Sequence, residues 1–260
     1  MRFARTYVLA FLSLLLAFPV FGQQATSTVQ RDLQAVAVLQ ASVRAMGGSI
    51  PSDSTATGTV TLTAGTSTQS GNISILTRGT EQTSEQIQTS QVSTTTVYSN
   101  LQANAINDSA STPLSAELAA TSRSVVFPLL SMASTLNNAD SCLSYVGIES
   151  VNGASAHHIR YWNSFNSHAN LQFLAEFTLA DIWIDAASYL PQRISQIRRG
   201  GRGLEPRITL DTVFANYQKI GGAAYPLLIQ RSLNGSPWMT ITITNVSFNT
   251  GLTDSSFPVQ

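Results

Sequence analysis

The chain has 260 residues, of which only 11% are charged, with 14 basic and 14 acidic side chains and a single lysine, Lys219. So balanced and charge-poor a chain has no long-range field to gather nucleic acid, which excludes nucleic-acid binding as a function class. With one cysteine, Cys142, no intramolecular disulfide can form, and a chain of this size must be held by its hydrophobic core.

Arg2 and Arg5 precede an apolar stretch from Tyr7 to Phe21 that only Ser13 and Pro19 interrupt, and Val20 and Gly22 are small enough for a signal-peptidase site. Residues 1–22 therefore read as a signal peptide cleaved near Gly22, leaving Gln23 first and the protein in the periplasm or secreted. The stretch is short of the roughly 20 apolar residues that a membrane span needs. Residues 23–30 lack apolar periodicity and read as a flexible leader, and residues 31–260 as one domain.

Asp32 can cap a helix in which Leu33, Val36, Leu39, Val43 and Met46 recur at spacings of three and four, and Gly47-Gly48 stops it. From Ser54 to about Asn107, apolar residues alternate with threonine and serine, as in Val60 and Leu62 or Ile73 and Ile75, which predicts four or five antiparallel strands. Pro113 to Ala120 has a proline suited to a first helical turn, and the apolar run Ser124 to Leu136 reads as helix kinked or divided at Pro128. Helical pieces inserted between strands would lie across the sheet.

Strands resume at Leu143. Ser144 to Ser150 and Ala154 to Trp162 flank the hairpin signal Asn152-Gly153. Asn163 to Thr178 is a longer connection, with Leu171, Phe173, Leu174 and Phe177 able to pack as a short helix or lid. Four more strands run to Phe248, with turns near Ala187, Gly200 to Pro206, Gly221-Gly222 and Asn234-Gly235. Their period-2 alternation, as in Asp181-Ile-Trp-Ile-Asp185, belongs to an antiparallel sheet with one face covered and one wet. The fold class is mostly β (α+β): a large, curved, one-sided antiparallel sheet.

Several residues of this last third resemble periplasmic lipoprotein-carrier proteins of the LolA/LolB type. They are the hairpin around Val151-Asn-Gly153, the strand end Trp183-Ile-Asp185, and Tyr189-Leu-Pro191 leading into Arg193-Ile194. Tyr217, Gly221-Gly222, Tyr225-Pro226, Ile241-Thr-Ile243, Asn249-Thr-Gly-Leu252 and Asp254 to Phe257 continue the likeness. It covers about Leu143 to Pro258 plus the opening helix, whereas residues 54–141 agree only in strand type. The resemblance implies a half-barrel with helices packed on, or lidding, a concave apolar face that in the carriers receives lipoprotein acyl chains.

Residues able to do chemistry are few. His157 and His158 are adjacent on a strand, so their rings point to opposite faces and cannot share a metal without a bulge. Asp181 and Asp185 share a face but lie about 13 Å apart along a strand, beyond the roughly 5–9.5 Å that separates paired glycosidase carboxylates. Asp185 better opens the turn at Ala186-Ala-Ser188. There is no G-x-S-x-G elbow, and Gly201-Arg-Gly203 precedes a strand rather than a helix. The expectation is a protein without catalytic residues, metal or cofactor.

Two groups are candidate binding residues. Tyr161, Trp162, Phe173, Phe177 and Trp183 cluster in sequence around the long connection and would line the concavity or its lid, unless they are ordinary core. Arg198, Arg199 and Arg202, with Arg193 and Arg207, put five of the thirteen arginines into fifteen residues. That hairpin either blunts edge pairing or contacts anionic lipid headgroups or an acidic partner. The function expected is therefore an exported, non-catalytic protein that holds a lipid or lipoprotein acyl chain and can touch a membrane peripherally. The alternative is an envelope interaction or sensing module whose cavity is plugged by Ser124 to Leu136.

Overall fold

The computed structural model describes residues 29–79, 81–107, 110–115, 119, 126–198 and 207–259. The signal peptide, most of the leader, most of the helix expected at Pro113 to Ala120, and Arg199 and Arg202 lie outside the described residues. Helix α1 (Leu33–Ala45) is followed by strands β1 (Asp53–Ala64), β2 (Ser67–Arg78), β3 (Gln82–Thr89), β4 (Ser93–Ser99), β5 (Gln102–Asn107) and β6 (Ala110–Pro113). After helix α2 (Pro128–Asn137) come β7 (Ser141–Val151), β8 (Ala154–Asn163), a 3-10 helix (Ala169–Thr178), β9 (Ala180–Asp185) and β10 (Pro191–Arg198). Strands β11 (Ile208–Ile220), β12 (Ala223–Leu233) and β13 (Ser236–Phe248) complete the sheet.

All the described strands belong to one antiparallel sheet in the order β6-β5-β4-β3-β2-β1-β13-β12-β11-β10-β9-β8-β7. Two meanders, β1 to β6 and β7 to β13, are joined where β1 pairs with β13, with Val60 opposite Ile241 and Ser54 opposite Phe248. The sheet is not closed into a barrel: its edges are β6 and β7, which are consecutive in sequence. The chain between them must cross the open side, and it carries α2 over the concave face.

Alternation assigns the two faces. Val60, Ile75, Ile159, Ile184, Ile229 and Ile241 turn inward and are at most 1% exposed, forming one core with α1 and α2. The opposite face of β1 to β3 carries mainly threonine, serine, asparagine and glutamine, with Asp53 and Arg78 at one end.

Asp32 caps α1 by accepting from the amides of Gln34 and Ala35, at 2.8 and 3.2 Å. The buried stripe differs from the expected one. Ala35, Val38, Leu39, Ser42 and Met46 face the core, while Leu33 is 85% exposed at the helix start. Small residues at 35 and 42 allow the close approach that the larger Val36 and Val43, flanking the stripe, would prevent. At the helix end, the Met46 carbonyl accepts from the Ala224 amide, at 2.9 Å, tying α1 to β12.

Two proline readings change. Pro113 closes strand β6 rather than opening a helix. Pro128 neither kinks nor divides a helix but occupies the first position of α2, where its missing N–H costs no hydrogen bond. The strands from Ala180 to Phe248 number five rather than four, because Asp181 to Asp185 forms its own strand in addition to the four after it.

The β1–β13 pairing slips at Thr57/Gly58, where the backbones crowd, and a Cβ built on Gly58 would overlap the Thr242 carbonyl oxygen. Gly58→Ala is expected to destabilise the fold by about 2–3 kcal/mol through forced backbone displacement, read as a lower urea midpoint. At Gly65, by contrast, a Cβ meets nothing within 4 Å, and the cost of Gly65→Ala is the left-handed backbone at φ +61° alone.

Candidate ligand-binding face

The concave face is built from inward strand positions and roofed by two helices. In α2, Leu129, Met132 and Ala133 are at most 2% exposed, and Phe127 before it stacks on Tyr225 and Phe248 at centroid distances of 4.7 and 5.6 Å. Among the described residues, the two helix ends are held by different means, the N-terminal end by the aromatic packing of Phe127 and the C-terminal end by hydrogen bonds. At the C-terminal end, the Arg31 guanidinium donates to the carbonyls of Leu136 and Asn138, at 2.9 and 3.3 Å, where a cation also meets the negative end of the helix dipole. At the N-terminal end, Phe127 supplies no side-chain cap and no acid lies in the first turn. A crevice of about 20 Å³ remains between Phe127, Leu130 and Ser131 and the β2–β3 end of the sheet, room for a single water.

One charged pair interrupts this apolar surface. Arg231 on β12 and Glu85 on β3 both face inward and are 8% and 7% exposed. The guanidinium meets the carboxylate through two bonds of 2.8 Å, Nη1 to Oε2 and Nη2 to Oε1. Between the two strands lie β2, β1 and β13, so on a flat sheet the strands alone would be about 19 Å apart. They meet because the sheet curls, and the pair clasps the half-barrel from the inside. Burial disfavours the charge on Arg231, but Glu85 outweighs it and raises the guanidinium further.

Toward the other end of β12, Tyr225 is fully buried, and its hydroxyl has no hydrogen-bond partner among the described residues. Burial, and secondarily the Glu85 charge, push this phenol far above its ordinary range, so it keeps its proton and is a donor.

The aromatic residues singled out in the sequence do not converge. Tyr161 alternates inward and packs on the main core. Trp162 and Trp183 alternate to the convex face. Trp183 stacks on His158 at 4.5 Å, donates to Glu149 at 2.8 Å, and lies beneath the Arg193 guanidinium, at 4.6 Å. His158 also meets Glu149 and Asp181, at 2.8 and 2.9 Å, and the bonds from Trp183 and His158 hold the Glu149 carboxyl below its usual range. Phe177 joins Phe165 and Leu174 in a satellite cluster that includes Leu101 from the β4–β5 turn, so this cluster brings opposite rims of the half-barrel together. Phe173 is 57% exposed.

Arg198 ends strand β10, at the margin of the described residues. His157 and His158 do fall on opposite faces, His157 stacking on Tyr189 at 5.6 Å. Asp185 accepts from the amides of Ala187 and Ser188 and so closes the turn, which holds its carboxyl below the usual range. Among the described residues, no group of three or more His, Cys, Asp or Glu side chains is placed to hold a metal ion.

Sequence reasoning passed over Glu85, Tyr225 and Arg231. A signal for two of them was present: Arg231 follows Leu227 and Ile229, and Glu85 precedes Ile87, each breaking an inward apolar row with a charge.

The fold is LolA-like. A domain from Vibrio parahaemolyticus described as an outer membrane lipoprotein-sorting protein superposes with a TM-score of 0.58 at 13% identity, covering 86% of this chain and 96% of that one. A DUF1329-family protein from Desulfovibrio piger superposes at 0.56 and 13% identity, covering 86% and 97%. A LolA-superfamily protein from Nitrosomonas europaea gives 0.56 and 12%, again over 86% and 97%. No protein-family model and no curated protein matches the sequence.

Because each charge of the clasp is buried, Arg231→Met alone is expected to destabilise the protein by about 3–5 kcal/mol, by removing the guanidinium that Glu85 meets through two bonds. Glu85→Leu combined with Arg231→Met is expected to recover most of that loss. A double-mutant cycle by urea denaturation reads both, and additive losses would contradict a direct pair.

Proposed function

We propose that this protein is an exported, non-catalytic carrier that holds a lipid or lipoprotein acyl chain on the concave face, in the space that α2 fills when no ligand is bound. The observation that carries this reading is a ten-residue helix held over the concave face mainly by buried apolar side chains. Isolated helices of fewer than about 12–15 residues are marginal in water, so burial is what keeps this ten-residue segment helical. Apolar surface gains about 25 cal/mol per Å² when removed from water, whichever group covers it. An acyl chain can therefore replace Leu129, Leu130 and Met132 at little net cost while α2 pivots about the Arg31 anchor.

The sheet suits this role. It presents a largely apolar concavity built from inward positions of many strands. The shared fold with a domain described as lipoprotein-sorting supports the reading at the level of architecture. The arginine-rich β10–β11 connection would supply peripheral contact with anionic headgroups. The full burial of Leu129 and Met132 favours a second reading, an envelope interaction or sensing module in which α2 is a permanent plug.

The two readings separate on purification of the full chain from a bacterial periplasm without detergent, followed by native mass spectrometry. The carrier is expected to show a bound lipid or acyl-chain mass that dissociates under activation. An apoprotein mass unchanged after incubation with lipid would sink the carrier in favour of the plugged module. N-terminal sequencing of the same sample is expected to begin at Gln23, and finding Met1 would contradict export by a cleaved signal peptide.

A further inference from the structure

We propose that the outward face of β1, β2 and β3 carries a binding groove for a neutral saccharide chain. The groove lies on the side of the sheet away from α1 and α2, so it is independent of the lipid-holding reading.

Strand register builds the site. Thr57 of β1 lies opposite Ser74 of β2, which lies opposite Gln86 of β3, and Thr59, Asn72 and Gln88 form the next outward row in the same way. Adjacent strands are about 4.8 Å apart and alternate residues of one strand about 6.7 Å, so the six side chains form a two-by-three array. Over them runs a groove of about 370 Å³, within the roughly 300–1,000 Å³ of small-molecule sites. A bulge completes the lining. The β1–β13 register skips Thr244, which borders the groove and whose hydroxyl donates to the Thr57 carbonyl at 3.1 Å.

Two features set this patch apart from the rest of the wet face. Along β1 on either side, the hydroxyls are already in use: Thr61 bonds Ser70 at 3.1 Å and Thr55 bonds Thr250 at 3.2 Å. Within the array, none of the six side chains hydrogen-bonds another protein group among the described residues. Second, no charged residue lines the groove, which offers carboxamides and hydroxyls only.

Those groups select the ligand class. A carboxamide presents a donor and an acceptor side by side, and a hydroxyl is both. Neighbouring sugar hydroxyls offer the complementary donors and acceptors, and the threonine methyls can meet the C–H faces of a sugar ring. An anionic ligand would give up water here without gaining a counter-ion. An acyl chain would strip water from the polar side chains and return no hydrogen bond. A neutral, hydroxyl-rich chain incurs neither cost.

The test is an NMR titration of the isotope-labelled protein with cellotetraose and chitotetraose, with tetragalacturonate as the anionic counterpart. At least one neutral tetramer is expected to shift the side-chain amide signals of Asn72, Gln86 and Gln88, and tetragalacturonate to leave them in place. Asn72→Ala with Gln86→Ala is expected to weaken binding about tenfold or more, the effect of two neutral hydrogen bonds. Both of these side chains are exposed and unbonded to protein, so the double variant is expected to keep the wild-type urea midpoint. Ser70→Ala, outside the array, is expected to leave the affinity unchanged. No shift with either neutral tetramer, equal binding of tetragalacturonate, or an unaltered affinity of the double variant would overturn the assignment.

Discussion

The pairing of β1 with β13 determines much of the rest. It joins two meanders through their outermost sequence ends and so leaves β6 and β7, which follow one another in the chain, as the free edges of the sheet. A connection between the two rims of a curved sheet has to cross its open side. That places α2 over the concavity. The entry to α1 obeys the same geometry: residues near Arg31 pair with the β7 edge at Leu143, and the helix then travels inward to deliver the chain to β1 in mid-sheet. The roof of the concave face is thus a consequence of strand order.

Such a roof does not have to be permanent. Its apolar contacts are non-directional, and among the described residues the side-chain hydrogen bonds that hold α2 to the rest of the fold include Arg31 at its C-terminal end and the Ser134–Glu81 contact. The directional bonding inside the concavity lies instead between Glu85 and Arg231. On the carrier reading proposed above, apolar area supplies the affinity.

Much of this architecture was legible in the residues. Period-2 alternation marked the strands and their two faces, Asp32 and Gly47-Gly48 bounded α1, and Asn152-Gly153 marked the β7–β8 hairpin. Legibility failed where the answer depended on partners distant in sequence. Glu85 and Arg231 are 146 positions apart, and only the curl of the finished sheet brings them together. Tyr161, Trp162 and Trp183 looked like one cluster because they are near in sequence, yet strand parity sends the tryptophans to the opposite face. The α1 stripe was misplaced by the weight given to Leu33, whose size matters less than the small Ala35 and Ser42 that allow close packing. Pro128 read as an interruption because its place at a helix start depends on the extended residue before it.

Hydrogen exchange of the α2 amides, measured with and without palmitic acid, tests the central claim most directly. If α2 gives way to an acyl chain, amides from Leu130 to Leu136 should lose protection when ligand is added, while those of α1 and β12 keep or gain it. Binding of the fatty acid with unchanged protection throughout α2 would contradict the claim, because the ligand would then lie somewhere other than beneath that helix.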